Sequence, residues 1–172
     1  NCAEGYVPCG TGPCCHAATE RCGDGTCHPR DEGGDGGDAG GTGSALLDAV
    51  QAAEYRTWAR PPGAYEMPLT PARSPHGDFV DIYINDVVAQ ALAAETGTLT
   101  AWPEGSIIVK DGWGDAEGTD LRFLAIMEKR ANGWYWEEFV GDLAEPEFSG
   151  VPDVCVDCHV SGEDFVRAFG LP

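Results

Sequence analysis

Positive charge is what this chain has least of: 10 Lys and Arg stand against 29 Asp and Glu, a formal net charge of −19 over 172 residues. A field of that sign repels phosphate, which argues against nucleic acid and anionic lipid surfaces as partners. The acidic surface is read first as a solubilising coat and second as a means of steering a basic partner. Long apolar runs are missing too, so no membrane span and no leader peptide are expected in this sequence. Cysteine is absent from the whole middle: six lie within the first 27 residues, and the other two are Cys155 and Cys158. From Ser44 onward histidine is reduced to His76 and His159.

The material that is present, 42% hydrophobic and 9% aromatic, suffices for one ordinary domain and something small beside it. The six clustered cysteines, Cys2, Cys9, Cys14, Cys15, Cys22 and Cys27, read C-x6-C-x4-C-C-x6-C-x4-C in a segment with almost no large apolar residues. So small a segment needs staples, and a disulfide frame fits the spacing better than a metal site aided by His16 and His28. The double-Cys centre resembles the inhibitor cystine-knot (knottin) pattern. That resemblance implies Cys2 with Cys15, Cys9 with Cys22 and Cys14 with Cys27. Three disulfides require an oxidising compartment, periplasm or cell exterior. Cys2 also stands where a lipid anchor is attached, though lipidation would leave one thiol of the remaining five unpaired.

"RDEGGDGGDAGGTG" (30–43) cannot build a core and is read as a flexible tether. The organisation expected is therefore a disulfide-rich segment at 1–29, a Gly/Asp-rich linker at 30–43 and a main domain at 44–172. In that domain "SALLDAVQAAEYRTWAR" has Ser44 as an N-cap and a helical apolar period that Pro61 and Pro62 end. "HGDFVDIYIND" (76–86) alternates as a strand, "DVVAQALAAE" (86–95) reads as a helix, and "GSIIVKD" (105–111) as a second strand. "LRFLAIMEKR" and "WYWEEFV" flank an Asn-Gly turn and form a hairpin. Ser161 and Asp164 resemble a capping box that opens a last helix through Phe165 and Phe169. The class is α+β: a mainly antiparallel sheet with flanking helices, plus the small stapled N-terminal segment.

"CVDCH" (155–159) has three chemical readings: a redox dithiol, half a zinc site, or a covalent haem. A thioredoxin-like pair follows a strand in a βαβ unit, and no such unit is expected here. Zinc needs further ligands, and His76 is the one other histidine on offer. Haem uses all three residues at once: Cys155 and Cys158 bond the vinyl groups, and His159 ligates the iron. The expected cofactor is one covalent haem c.

With "HGDFVDIYIND", "WPEGSIIVKD", "LRFLAIMEKRANGWYWEEF" and "CVDCH" in this order, residues 44–172 resemble the cytochrome P-460 family and its relative cytochrome c-prime-beta. The resemblance implies an antiparallel-sheet haem protein, often a homodimer, with His159 proximal and the sheet as distal wall. It implies two chemistries, oxidation of hydroxylamine or capture of nitric oxide or carbon monoxide, with electrons passed to a redox partner protein. Lys110 matches the strand lysine that cytochrome P-460 bonds to its porphyrin. From the alternation, Ser106, Ile108 and Lys110 share one face and Ile107 and Val109 the other. Where hydroxylamine-oxidising members carry an arginine, this chain has Phe79 and Val80, which implies an apolar distal pocket. His76 as a sixth ligand would instead close the iron for electron transfer alone. Met127 is read as core rather than ligand, Trp134 and Trp136 as core or haem-pocket wall, and Glu137 with Glu138 as a solvated sheet edge, one of them available as a distal base.

Overall fold

The computed structural model describes residues 44–94, 97–141, 143 and 145–172, together with the backbone of four short strands between residues 6 and 29. The chain divides into two compact units, Asn1–Gly40 and Gly41–Pro172. In the first, β1 (Tyr6–Pro8) pairs antiparallel with β2 (Cys14–His16), and β3 (Glu20–Gly23) with β4 (Thr26–Pro29). The expected cystine-knot pairing concerns side chains that lie outside the described residues.

The second unit is α+β. Helix α1 (Ala45–Ala52) is capped by Ser44, whose hydroxyl accepts from Leu46 N and Leu47 N. It buries Leu46, Leu47 and Val50 and stops at Ala53, well short of Pro61; Glu54 turns left-handed (φ 50°) into a 3-10 turn at Tyr55–Thr57. Six strands follow: β5 (Thr70–Ser74), β6 (Gly77–Ile84), β7 (Ile107–Trp113), β8 (Leu121–Arg130), β9 (Gly133–Val140) and β10 (Pro146–Gly150). They form one antiparallel sheet in which every strand lies beside its neighbour in sequence. Helix α2 (Asp86–Leu92) joins β6 to β7 and is capped by the Asn85 side chain. The two strands that the sequence pattern does not reveal, β5 and β10, are the sheet's two edges, and each carries a proline, as edge strands can.

Alternation sorts the strand residues to two faces. On one, Tyr83, Val109, Leu124, Ile126 and Phe139 pack beneath α1 and Tyr55. On the other, Ile82, Ile84, Ile108, Met127, Trp134 and Trp136 pack against α2, Trp102 and the chain's last segment. Register pairs these into cross-strand rows. One runs Ile84, Ile108, Met127, Trp136; the next runs Ile82, Lys110, Ala125, Glu138, Phe148.

The last helix is not where the capping-box reading puts it. Helix α3 (Asp153–His159) lies before Ser161 and carries the Cys-x-x-Cys-His itself. Pro152 at its N-cap supplies the carbonyl that takes the Cys155 and Val156 amides. Asp164 is drawn elsewhere: it is a central residue of a tight turn in which Glu163 and Val166 exchange both backbone hydrogen bonds at 3.1 Å.

Candidate functional site

A helix repeats every 3.6 residues, so positions 155, 158 and 159 fall on one face of α3. That face closes an apolar cavity of about 220 Å3 whose opposite side is the sheet, with Ile108, Ala125, Met127 and Trp136 among its walls. An adjoining cavity of about 280 Å3 shares Lys110, His76, Cys158 and His159 and adds Tyr65 and Arg167. Together they reach the size of ordinary cofactor sites, about 300–1,000 Å3. The outward face of α3 leaves Asp153 and Asp157 exposed.

His159 is held in one tautomer. Its Nδ1 lies 2.8 Å from the Phe165 carbonyl oxygen, to which it donates, and this leaves the Nε2 lone pair unclaimed. Burial pulls the imidazole below its ordinary pKa, and the Phe165 carbonyl opposes that only in part, so the neutral, ligating form is favoured. The carbonyl is fixed in turn by the 163–166 turn. Asp164 and Phe165 both have positive φ, 45° and 65°, as the two central residues of a type I′ turn must. Such a backbone costs a non-glycine residue of order 1–3 kcal/mol and persists where its surroundings impose it. Here Trp102 N donates to Asp164 Oδ2 at 2.8 Å, Trp134 Nε1 donates to Asp164 O at 2.7 Å, and Lys129 Nζ reaches the carboxylate at 2.8 Å. The Phe165 ring meets Trp136 edge to face, centroids 6.0 Å apart.

Cys155 and Cys158 are free thiols. Burial and the nearby Glu138 push the Cys155 thiol up, towards the protonated form. Arg167 Nη1 lies 2.9 Å from Cys158 Sγ.

Lys110 lines both cavities, on the face that the alternation assigns to it. It borders open cavity space, yet protein encloses it closely enough that burial, aided by Arg167, lowers its pKa, against the pull of Glu138. Glu138 stands two strands away in the same row, with Ala125 between. The acid pair at 137 and 138 is no solvated edge, because β10 covers β9. Glu137 points to the α1 face, where the Ser44 hydroxyl and Tyr135 OH bond it. Glu138 lines the cavity.

His76 occupies the two-residue turn between β5 and β6, and its Nδ1 lies 2.8 Å from Glu138 Oε2, an ion-pair approach off the axis of a hydrogen bond. Gly112 makes that placement possible: a Cβ there would stand 1.7 Å from the His76 carbonyl oxygen. Phe79 and Val80, from which an apolar distal pocket is expected, do not line the cavity; it is mostly apolar all the same, through Ile108, Ala125, Met127, Trp136 and Phe148, with Lys110, His76 and Glu138 as polar members. The sequence reading brought out Cys155, Cys158, His159, Lys110 and His76, and all five meet here. It missed Phe165, Asp164 and Gly112, which act through a backbone atom, a turn or a missing side chain, and Arg167, whose guanidinium reaches the Cys158 sulfur.

The donor set fits haem: two unpaired thiols and a neutral imidazole on one helix face, an apolar chamber, and a buried indole, Trp136 Nε1–H, with no acceptor among the described residues. No curated protein matches the chain. The family model described as Cytochrome P460 matches residues 52–166, more than half of the chain and all of the sheet and α3. With that match and this cavity, the chain belongs to the cytochrome P460 family of haem proteins.

Proposed function

We propose that the chain is a single-haem c-type cytochrome of an oxidising compartment, the periplasm or cell exterior, that captures a small nitrogen compound such as nitric oxide or oxidises one such as hydroxylamine, passing the electrons to a redox partner protein. Cys155 and Cys158 would hold the haem through thioethers and His159 Nε2 would ligate the iron. Haem, when bound, supplies an iron that exchanges single electrons and accepts a small ligand at its open position. Oxidising such a compound releases protons along with electrons, so a base must stand nearby. The observation that carries the reading is the polar cluster in an otherwise apolar cavity, Lys110, Glu138 and His76. Lys110 Nζ, disfavoured as a cation, can accept a proton, and Glu138 Oε2 stands in the same cluster, 2.8 Å from His76 Nδ1.

His76 also supports a second reading. A histidine that ligates metal usually has a carboxylate or carbonyl at its other nitrogen, which Glu138 supplies, so His76 Nε2 as sixth ligand would make a closed electron-transfer haem. Optical spectra of the ferrous protein with and without carbon monoxide separate the two. A shifted Soret band is expected; an unchanged one means that His76 closes the site. The porphyrin bond that the family resemblance implies for Lys110 is tested in a digest, where it would make the Lys110 peptide travel with the Cys155–Cys158 haem peptide.

A further inference from the structure

We propose that Lys129, on β8 and absent from the cavity walls, is a positioning residue for the iron ligand: through Asp164 it holds the Phe165 carbonyl on His159 Nδ1 and so sets how strongly His159 donates to iron. The inference deepens the proposed function and rests on the reading that His159 ligates haem.

Lys129 Nζ reaches both carboxylate oxygens of Asp164 at 2.8 Å, and the two side chains are only 15% and 13% exposed. Such a shielded pair is little screened by solvent, unlike an ion pair on the surface. Lys129 cannot drift, because its backbone bonds both ways to the 105–106 segment and its ammonium lies over the Trp134 ring, 5.4 Å from the centroid. Trp134 then takes the Asp164 carbonyl. Two strand residues, positions 129 and 134, thus grip Asp164 by its side chain and its main chain. The next residue is Phe165, whose carbonyl meets His159 at 2.8 Å. A turn with two non-glycine residues at positive φ would relax without that grip, and its one outward product is the direction of the Phe165 carbonyl. A hydrogen bond at Nδ1 makes an imidazole the stronger donor at Nε2 and steadies oxidised iron.

The test uses the full haem-loaded chain. Lys129→Met keeps the apolar stem over Trp134 but removes the charge, Asp164→Asn keeps the turn's size, and Lys129→Arg should rescue. The readouts are the iron–histidine stretching band of the ferrous protein by resonance Raman and the midpoint potential. Lys129→Met and Asp164→Asn should move the band to lower frequency and the potential to more positive values, with Lys129→Arg near wild type. Should Lys129→Met and Asp164→Asn not fold, Lys129→Gln, which keeps the stem and a hydrogen-bond donor but removes the charge, provides the comparison and should shift in the same direction by less. Folded variants with band and potential unchanged overturn the positioning role alone. A wild-type protein that shows no iron–histidine band, and yields its haem to acidic organic solvent, overturns the ligand reading and this inference with it.

Discussion

Lys110 carries a consequence for stability that does not depend on any reaction. Its folded pKa lies below the ordinary lysine value of 10.5, so between the two values the unfolded chain binds the extra proton and stability rises with pH. In haem-free protein, the melting temperature of wild type should therefore climb from neutral pH towards pH 10 relative to Lys110→Met, with the variant the more stable at neutral pH. Parallel curves would mean that the amine reaches water. The alternation of "SIIVKD" made this residue legible, just as the C-x-x-C-H spacing made Cys155, Cys158 and His159 legible. Glu138 was half legible. Strand period separates it from Glu137, but which of the two meets the cavity depends on which face α1 covers. The Phe165 carbonyl was not legible at all, because every residue has one and only tertiary contacts aim it.

Among the elements, α1, α2, β6, β7 and the β8–β9 hairpin follow from local pattern, whereas β5 and β10 do not. "TPARS" and "PEFSG" carry proline and little β-branched character, and become strands because an existing edge offers them partners. The 161–164 stretch has the letters of a capping box, yet Lys129 and the Trp102 amide outbid the helix for the Asp164 carboxylate. Gly112 is the element-scale lever. It lets the β5–β6 turn lie on β7, and Gly112→Ala drives a methyl into the His76 backbone. Overpacking of this kind costs about 1–3 kcal/mol, and moving the turn withdraws His76 from Glu138. A lower melting temperature together with altered carbon monoxide affinity is expected. A folded variant with unchanged affinity would show that His76 does not reach the ligand site.

For the whole molecule, charge is distributed as unevenly as cysteine. Between Arg130 and Arg167 the chain has no Lys or Arg and nine Asp or Glu, among them the exposed Asp153 and Asp157 on α3. On the proposed function, electron transfer to a basic acceptor protein should accordingly be fast at low salt and fall steeply as ionic strength rises. Asp153→Asn with Asp157→Asn should flatten that dependence, and a rate indifferent to salt would sink the idea. Among the described residues no helix is long and apolar enough to cross a membrane. Finally, the order of the sheet bears on how the protein is made. Since every strand from β6 to β10 pairs with the one before it, the wall can assemble while the chain is still emerging, but α3 has no surface to rest on until β9 and β10 are in place. The two thiols thus stay accessible, on a free segment above a finished wall, through most of maturation. On the proposed reading, a haem that arrives then would meet the two sulfurs before burial hides them, and its capture and the closing of the cavity would be a single event.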